Sequence, residues 1–157
     1  MTEPSFELDE LDRRILNVLQ NDAAQTNNDL AASVHVSPPT CLRRVKRLID
    51  AGVIERQVAI VAPEKVGPAL TAIVEIMLDN QAAERMVEFE QLVAKEPAVL
   101  QCYRVSPGPD FVLIVQVADM PAYHALAHRL FASHANVRNV KSYFSIHRSK
   151  FDTRIAV

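Results

Sequence analysis

Arg43, Arg44, Lys46 and Arg47 place four positive charges within five positions of a chain whose formal net charge is −2. Guanidinium and ammonium groups packed this closely can pair with phosphates, and arginine can also bond the edges of guanine bidentately. The stretch that carries them, residues 37–52, reads SPPTCLRRVKRLIDAG and has no acid between residues 37 and 49. A solvated helix face with surplus arginines has the same composition, so the elements around the cluster must decide between the two readings. Other chemistry is sparse. His124 and His128 stand four apart, a spacing that can bring two imidazoles to one metal. The residues between them are Ala-Leu-Ala, so the glutamate of an HExxH motif is missing and a surface pair is the simpler account. No metal site is expected. Three glycines form neither a GxGxxG pattern nor a P-loop, and no serine sits in a nucleophile elbow. Cys41 lies beside apolar residues and Cys102 alternates within an apolar run, so no catalytic residue and no cofactor are expected.

Three helices must position the basic cluster. Asp9 and Asp12 are spaced as an N-cap and third position, and Leu11, Ile15, Val18 and Leu19 then recur at helical intervals. Thr26 and Asp29 repeat the signal ahead of Leu30, Ala31 and Val34. Ser37 followed by Pro38 is a helix entry, and Gly52 a helix exit. On the third helix Leu42, Val45, Leu48 and Ile49 form the expected buried side, with Cys41 at its margin. Thr40, Arg43, Arg44 and Arg47 fall roughly opposite. Residues 53–61 have strand composition. Three short helices with a trailing strand describe a winged helix-turn-helix over 1–60, whose third helix suits the major groove of duplex DNA. Ser37, Thr40, Arg43, Arg44 and Arg47 are the candidate DNA contacts.

Residues 61–69 hold three prolines or glycines between Ala62 and Pro68 and read as a linker. Beyond it the pattern is strand 70–78, helix 82–96, strands 99–105 and 111–117 joined by Ser106-Pro107-Gly108-Pro109-Asp110, a helix capped by Asp119, and strand 137–147. The order is βαββαβ over 70–157, the ferredoxin-like pattern, and the fold class is α+β. Its strands are apolar on both faces, with Leu70, Ala72, Val74 and Ile76 backed by Ile73 and Met77. Two helices cover only one face, so the other is expected to pack on a second copy. An RNA-recognition module shares this strand order. Its third strand, however, carries exposed aromatics and basic residues, whereas 111–117 has one aromatic and no base.

The chain carries 19 acids and 17 bases, nine and seven of them in residues 1–60, so bulk charge predicts no anionic partner; only the local cluster does. No apolar run approaches the roughly 18 residues of a membrane span. The acidic start MTEPSFELDELD lacks a signal-peptide pattern, and two isolated cysteines suit a reducing compartment. A cytoplasmic protein is expected.

The runs LDELDRRILNVLQNDA and SPPTCLRRVKRLIDAGVI, followed by βαββαβ, resemble the Lrp/AsnC family of feast/famine regulators over nearly the whole chain. The resemblance implies a sequence-specific transcriptional regulator with a C-terminal RAM-type domain, dimers that assemble to octamers, and an amino acid or related effector bound in that domain. It also implies effector contacts at Ser106, Gly108 and Asp110, where Asp110 can accept from an α-ammonium group or simply stabilise the turn. Ser142 matches a position where the family often has threonine near the ligand. The family's hairpin typically reads Ser-Gly-Asp-Phe-Asp-Tyr, so here glycine is displaced by one and flanked by prolines, which lack an N–H to offer a ligand. Ala24 and Gln25 replace basic and β-branched residues ahead of the second helix. An effector-independent architectural regulator is the alternative, and a small ferredoxin-like enzyme a remote one.

Overall fold

Asp9 opens the first helix as its spacing predicts. In the computed structural model, which describes residues 6–67 and 69–157, the Asp9 carboxylate accepts from the Asp12 N–H at 2.9 Å and the Asp12 carboxylate accepts from the Asp9 N–H at 3.2 Å. This reciprocal capping box starts α1 (Glu10–Leu19) by pairing donors that a helix end would leave free. Thr26 caps α2 (Asn27–Ser33) by accepting from the Asp29 N–H. Ser37 caps α3 (Pro38–Asp50), with Pro38 where its missing N–H does no harm. Each such cap contributes about 1 kcal/mol. The turn between α2 and α3 passes through His35 at φ 60°, and Gly52 closes α3 at φ 70°, a left-handed conformation that suits glycine. Ile15 and Leu16, Leu30, Ala31 and Val34, and Cys41 and Leu48 form the core of this unit.

Two expectations for these residues fail. Residues 53–61 form no strand: Val58, Ile60 and Val61 are irregular and mostly exposed. Strand composition is not sufficient, because backbone N–H and C=O groups need a neighbouring strand to pair with, and the chain supplies none there. Helix α3 is also turned relative to its apolar stripe. Leu42 and Ile49 are 59% and 47% exposed, while Cys41 and Leu48 are wholly buried and Val45 is half-buried. At about 100° per residue the buried meridian lies roughly 60° from the one that Leu42, Val45, Leu48 and Ile49 define.

The second unit follows α4 (Pro63–Val66), a single turn within the expected linker; Pro68 of that linker lies outside the described residues. Its elements are β1 (Leu70–Leu78), α5 (Ala83–Val93), β2 (Val99–Arg104), β3 (Phe111–Val117), α6 (Met120–Ala127) continuing through a π-helical turn at His128–Ala132, and β4 (Val137–Phe144). The antiparallel sheet has the order β2-β3-β1-β4, so the split βαβ pattern is realised. One face, with Ala72, Val74, Ile76, Phe111, Leu113 and Val115, packs against Met86, Phe89 and Val93 of α5 and Tyr123 and Leu126 of α6. Among the described residues of this unit, none covers the opposite face. Ile73 sits between Ile114 and Tyr143, and Tyr103 beside Val112, with Ile73, Tyr103 and Tyr143 about half exposed.

Lys150–Val157 clusters with the residues up to Ile60 rather than with Val61–Ser149. The Gln20 side chain donates to the Ile155 carbonyl at 3.1 Å and accepts from the Ile155 N–H at 2.8 Å. Arg154 donates to Asn21, and Val157 packs against the helical core. A period-based reading has no signal for such a pairing between one side chain and an irregular segment. Removing Lys150–Val157 should therefore destabilise the helical unit by about 3 kcal/mol, three hydrogen bonds at roughly 1 kcal/mol each. Urea unfolding followed by circular dichroism reads this as an earlier helical transition; an unmoved transition would show that the segment does not hold the unit.

Candidate nucleic-acid interface and effector loop

Helix α3 spreads the basic cluster over a wide arc, from Arg43 and Lys46 through the part-exposed Arg47, four residues on from Arg43, to Arg44 on the side toward α1. Arg43 and Lys46 point away from Cys41 and Leu48 and are exposed. Among the described residues neither pairs with a carboxylate. Ser37 is exposed and Thr40 half-buried at the N-terminal end of the same helix, their hydroxyls 2.9 Å apart. This face can accept an anion along its length and present hydroxyls at its amino end.

Arg44 and Arg47 are engaged elsewhere. Arg44 Nη1 lies 2.5 Å from Asp9 Oδ2 and 3.2 Å from Asp12 Oδ1. Arg47 Nη2 lies 2.8 Å from Asp12 Oδ2 and donates to the Glu7 carbonyl at 3.2 Å, with its guanidinium 4.5 Å above the Phe6 ring. The Asp12 side chain has no exposed surface. Of the expected contacts Thr40, Arg43, Arg44 and Arg47, the two arginines Arg44 and Arg47 thus neutralise a buried carboxylate, because an unpaired one would be far more costly there. Sequence reasoning registered Asp12 only as a cap partner. Its signal was an acid at a core position of α1, between Leu11 and Ile15, with arginines three apart on α3 to meet it. Lys46 was noted as part of the cluster but not among the contacts.

The Asp12 N–H and then the Arg44 guanidinium hold the Asp9 carboxyl below the ordinary carboxylate range. Burial pushes the Cys41 thiol up, as suits a packing residue rather than a nucleophile.

The four expected effector residues do not converge. Ser106 and Gly108 are exposed in the loop between β2 and β3, where Gly108 takes φ 123° and the Ser106–Pro107 peptide is cis. Asp110 is 8% exposed and turned inward. Its Oδ2 accepts from the Leu78 N–H at 2.6 Å, and its backbone N–H donates to the Ile76 carbonyl at 2.8 Å, closing the end of β1. Of the two roles open to Asp110, the structure displays the one internal to the fold. Ser142 lies opposite Val74 on the helix-covered side and is hydrogen-bonded to the Tyr123 hydroxyl. Val74 and Leu78 are four residues apart on β1, roughly 13 Å at strand rise, so Ser142 and Asp110 cannot grip one amino acid head group within a single chain.

A helix-turn-helix with an unpaired basic face, followed by a ferredoxin-like domain, defines a DNA-binding regulator with a separate sensory domain. Comparison with known proteins agrees. Residues 8–55 match the winged helix-turn-helix DNA-binding family and residues 71–155 match the Lrp/AsnC ligand binding domain. An HTH-type transcriptional regulator of Haemophilus influenzae is 40% identical over 94% of this chain and 88% of its own length. The DNA-binding transcriptional activator DecR of Escherichia coli is 35% identical over 96% and 99%. The crystal structure of a Neisseria meningitidis transcriptional regulator in complex with L-Met superposes with a TM-score of 0.88 at 33% identity, over 95% of this chain and 96% of that one. The chain belongs to the Lrp/AsnC family of transcriptional regulators, and its relatives are regulators rather than enzymes. Among the described residues no helix is long and apolar enough to cross a membrane.

The lowered Asp9 carboxyl makes the helical unit pH-sensitive in a defined direction. A depressed folded-state pKa contributes stability that is complete above the unfolded value of about 3.9 and is lost as pH falls through the folded one. Thermal unfolding of the wild-type chain and of Asp9→Asn should therefore differ near neutral pH and converge as pH falls below the ordinary carboxylate range. A difference that persists unchanged at low pH would contradict the assignment.

Proposed function

We propose that the exposed pole of α3 lies in the major groove of duplex DNA, with Arg43 and Lys46 meeting phosphates and base edges and Ser37 and Thr40 meeting the backbone at the helix's amino end. The observation that carries this reading is the pair of exposed cations opposite Cys41 and Leu48, left without acidic partners among the described residues. Arg43→Ala should weaken binding and lower the slope of log K against log salt by about 0.9, the effect of one phosphate contact. A slope unchanged from wild type would remove Arg43 from the interface.

The second domain binds an amino acid or a closely related molecule, with Ser106 and the Gly108 backbone as its contacts and Asp110 holding the loop's base. The match to a ligand binding domain and the L-Met complex of the Neisseria relative support this. The open sheet face, with Ile73, Tyr103, Ile114 and Tyr143, supports a homodimer, which in turn assembles to an octamer in the cytoplasm. Stacking two such faces removes apolar surface from water on both copies. Regulation is then thermodynamic linkage: an effector with different affinity for two assembly states shifts their populations, and with them the spacing of paired α3 helices. The prolines beside Gly108 and the internal engagement of Asp110 and Ser142 favour one second reading, an effector-independent regulator.

A thermal-shift screen against the twenty amino acids, followed by sedimentation with and without any hit, separates the readings. The effector reading predicts stabilisation by a small subset and a change in assembly; uniform silence favours the effector-independent regulator. A monomer in sedimentation at every concentration would contradict the stacked sheets.

A further inference from the structure

The arginines withdrawn from the DNA face raise the question of what they do for recognition. Helix α3 has two competing ways to lie on the helical core. Its apolar residues Leu42, Val45, Leu48 and Ile49 define one buried meridian, yet Leu42 and Ile49 are 59% and 47% exposed. The observed orientation buries Cys41 and Leu48 and draws the Arg44 and Arg47 side of the helix toward α1. The apolar pattern alone does not select that orientation. The contacts that do are polar: Asp12 receives Arg44 on Oδ1 at 3.2 Å, and Arg47 at 2.8 Å and the Asp9 N–H at 3.2 Å on Oδ2. The second oxygen of Arg44's salt bridge, Asp9 Oδ2, completes the set at 2.5 Å.

We propose that Arg44 and Arg47 are positioning residues, which with Asp9 and Asp12 pin the rotation of α3 about its own axis and so set the azimuth at which Arg43 and Lys46 meet the duplex. This rests on the DNA-face reading above and deepens it. A phosphate that drew either guanidinium away would cost the Asp12 carboxylate, which has no exposed surface, one of its two cationic partners. The pin therefore stays closed when DNA binds. Because sequence discrimination depends on side chains reaching particular base edges while phosphate attraction tolerates small rotations, loss of the pin falls on specificity. Without it, burial of Leu42 and Ile49 favours a rolled helix that carries Arg43 and Lys46 round with it.

The sign of one substitution separates this role from direct contact. If Arg44 and Arg47 bound DNA, Asp12→Asn would release them and remove a negative charge, so affinity would rise. If they are a pin, Asp12→Asn and Arg47→Ala act alike. The probes are a duplex selected from a random pool by the full-length wild-type protein and a scrambled duplex of the same composition. The ratio of the two affinities and the salt slope on the scrambled duplex are read for each variant.

The pin predicts a fall in that ratio of about tenfold or more for both variants, with the scrambled-duplex slope kept within about 0.3 of wild type, against the 0.9 of a lost phosphate contact. A slope lowered by about 0.9 in Arg47→Ala, tighter binding by Asp12→Asn, or an unchanged ratio in both overturns it. Arg47→Lys covers the case in which either variant fails to fold. It keeps the charge but loses the planar guanidinium that stacks on Phe6 while bonding Asp12 and the Glu7 carbonyl, so the pin predicts a lowered ratio and direct phosphate contact predicts a retained one. Arg43→Ala in the same assay tests the DNA face itself: an unaltered slope there fails that reading, whereas a failure confined to Asp12 and Arg47 fails only the pin.

Discussion

A carboxylate with no exposed surface organises the helical unit. Asp12 belongs to the capping box that starts α1, and it also neutralises two arginines from α3. Local and long-range structure thus meet in one side chain. The helix start fixes where the carboxylate points, and the carboxylate fixes which side of α3 turns inward. Buried ion pairs of this kind add little net stability over apolar packing, but they discriminate between arrangements that apolar packing would leave nearly equal. In α3 the discrimination is visible as the exposure of Leu42 and Ile49. On the proposed reading the recognition face is what remains after Arg44 and Arg47 are subtracted, centred on Arg43 and Lys46.

The sensory domain rests on a different constraint. A four-stranded antiparallel sheet with two helices has one covered face and one open one, and here both are apolar. On the covered side Asp110 does for β1 what Asp12 does for α1, satisfying a backbone N–H that the sheet end would otherwise leave unpaired. Its engagement ties the base of the 106–110 loop to β1 and leaves Ser106, Pro107 and Gly108 exposed. An effector held there meets hydroxyl and main chain before it meets charge. The helical unit is likewise closed by a segment distant in sequence, since Gln20 clamps Ile155 from both backbone directions.

What the sequence made legible was local. Asp9, Thr26, Ser37 and Asp119 all cap the helices their spacing announces, and the strands at Leu70–Leu78 and Phe111–Val117 begin and end where their composition does. Met86, Phe89 and Val93 are buried as their period requires. What escaped was whatever depends on a partner far along the chain. Residues 53–61 have the composition of a strand without a neighbour to pair with. Lys150–Val157 returns to a side chain more than a hundred positions away. The roll of α3 reflects a charge pairing that hydrophobic periodicity does not count, and Asp110 faced inward because the nearest orphan N–H lay across the sheet, not along the loop.

Side-chain NMR of the arginine Nε–H groups tests the account at its centre, with the full-length protein titrated by its selected duplex. The account predicts that the Arg43 resonance moves and becomes protected as DNA is added, while those of Arg44 and Arg47 keep their positions from the free protein. Large shifts at Arg44 and Arg47 with Arg43 unmoved would contradict it, and would return the working face of α3 to the side that the structure shows closed against α1.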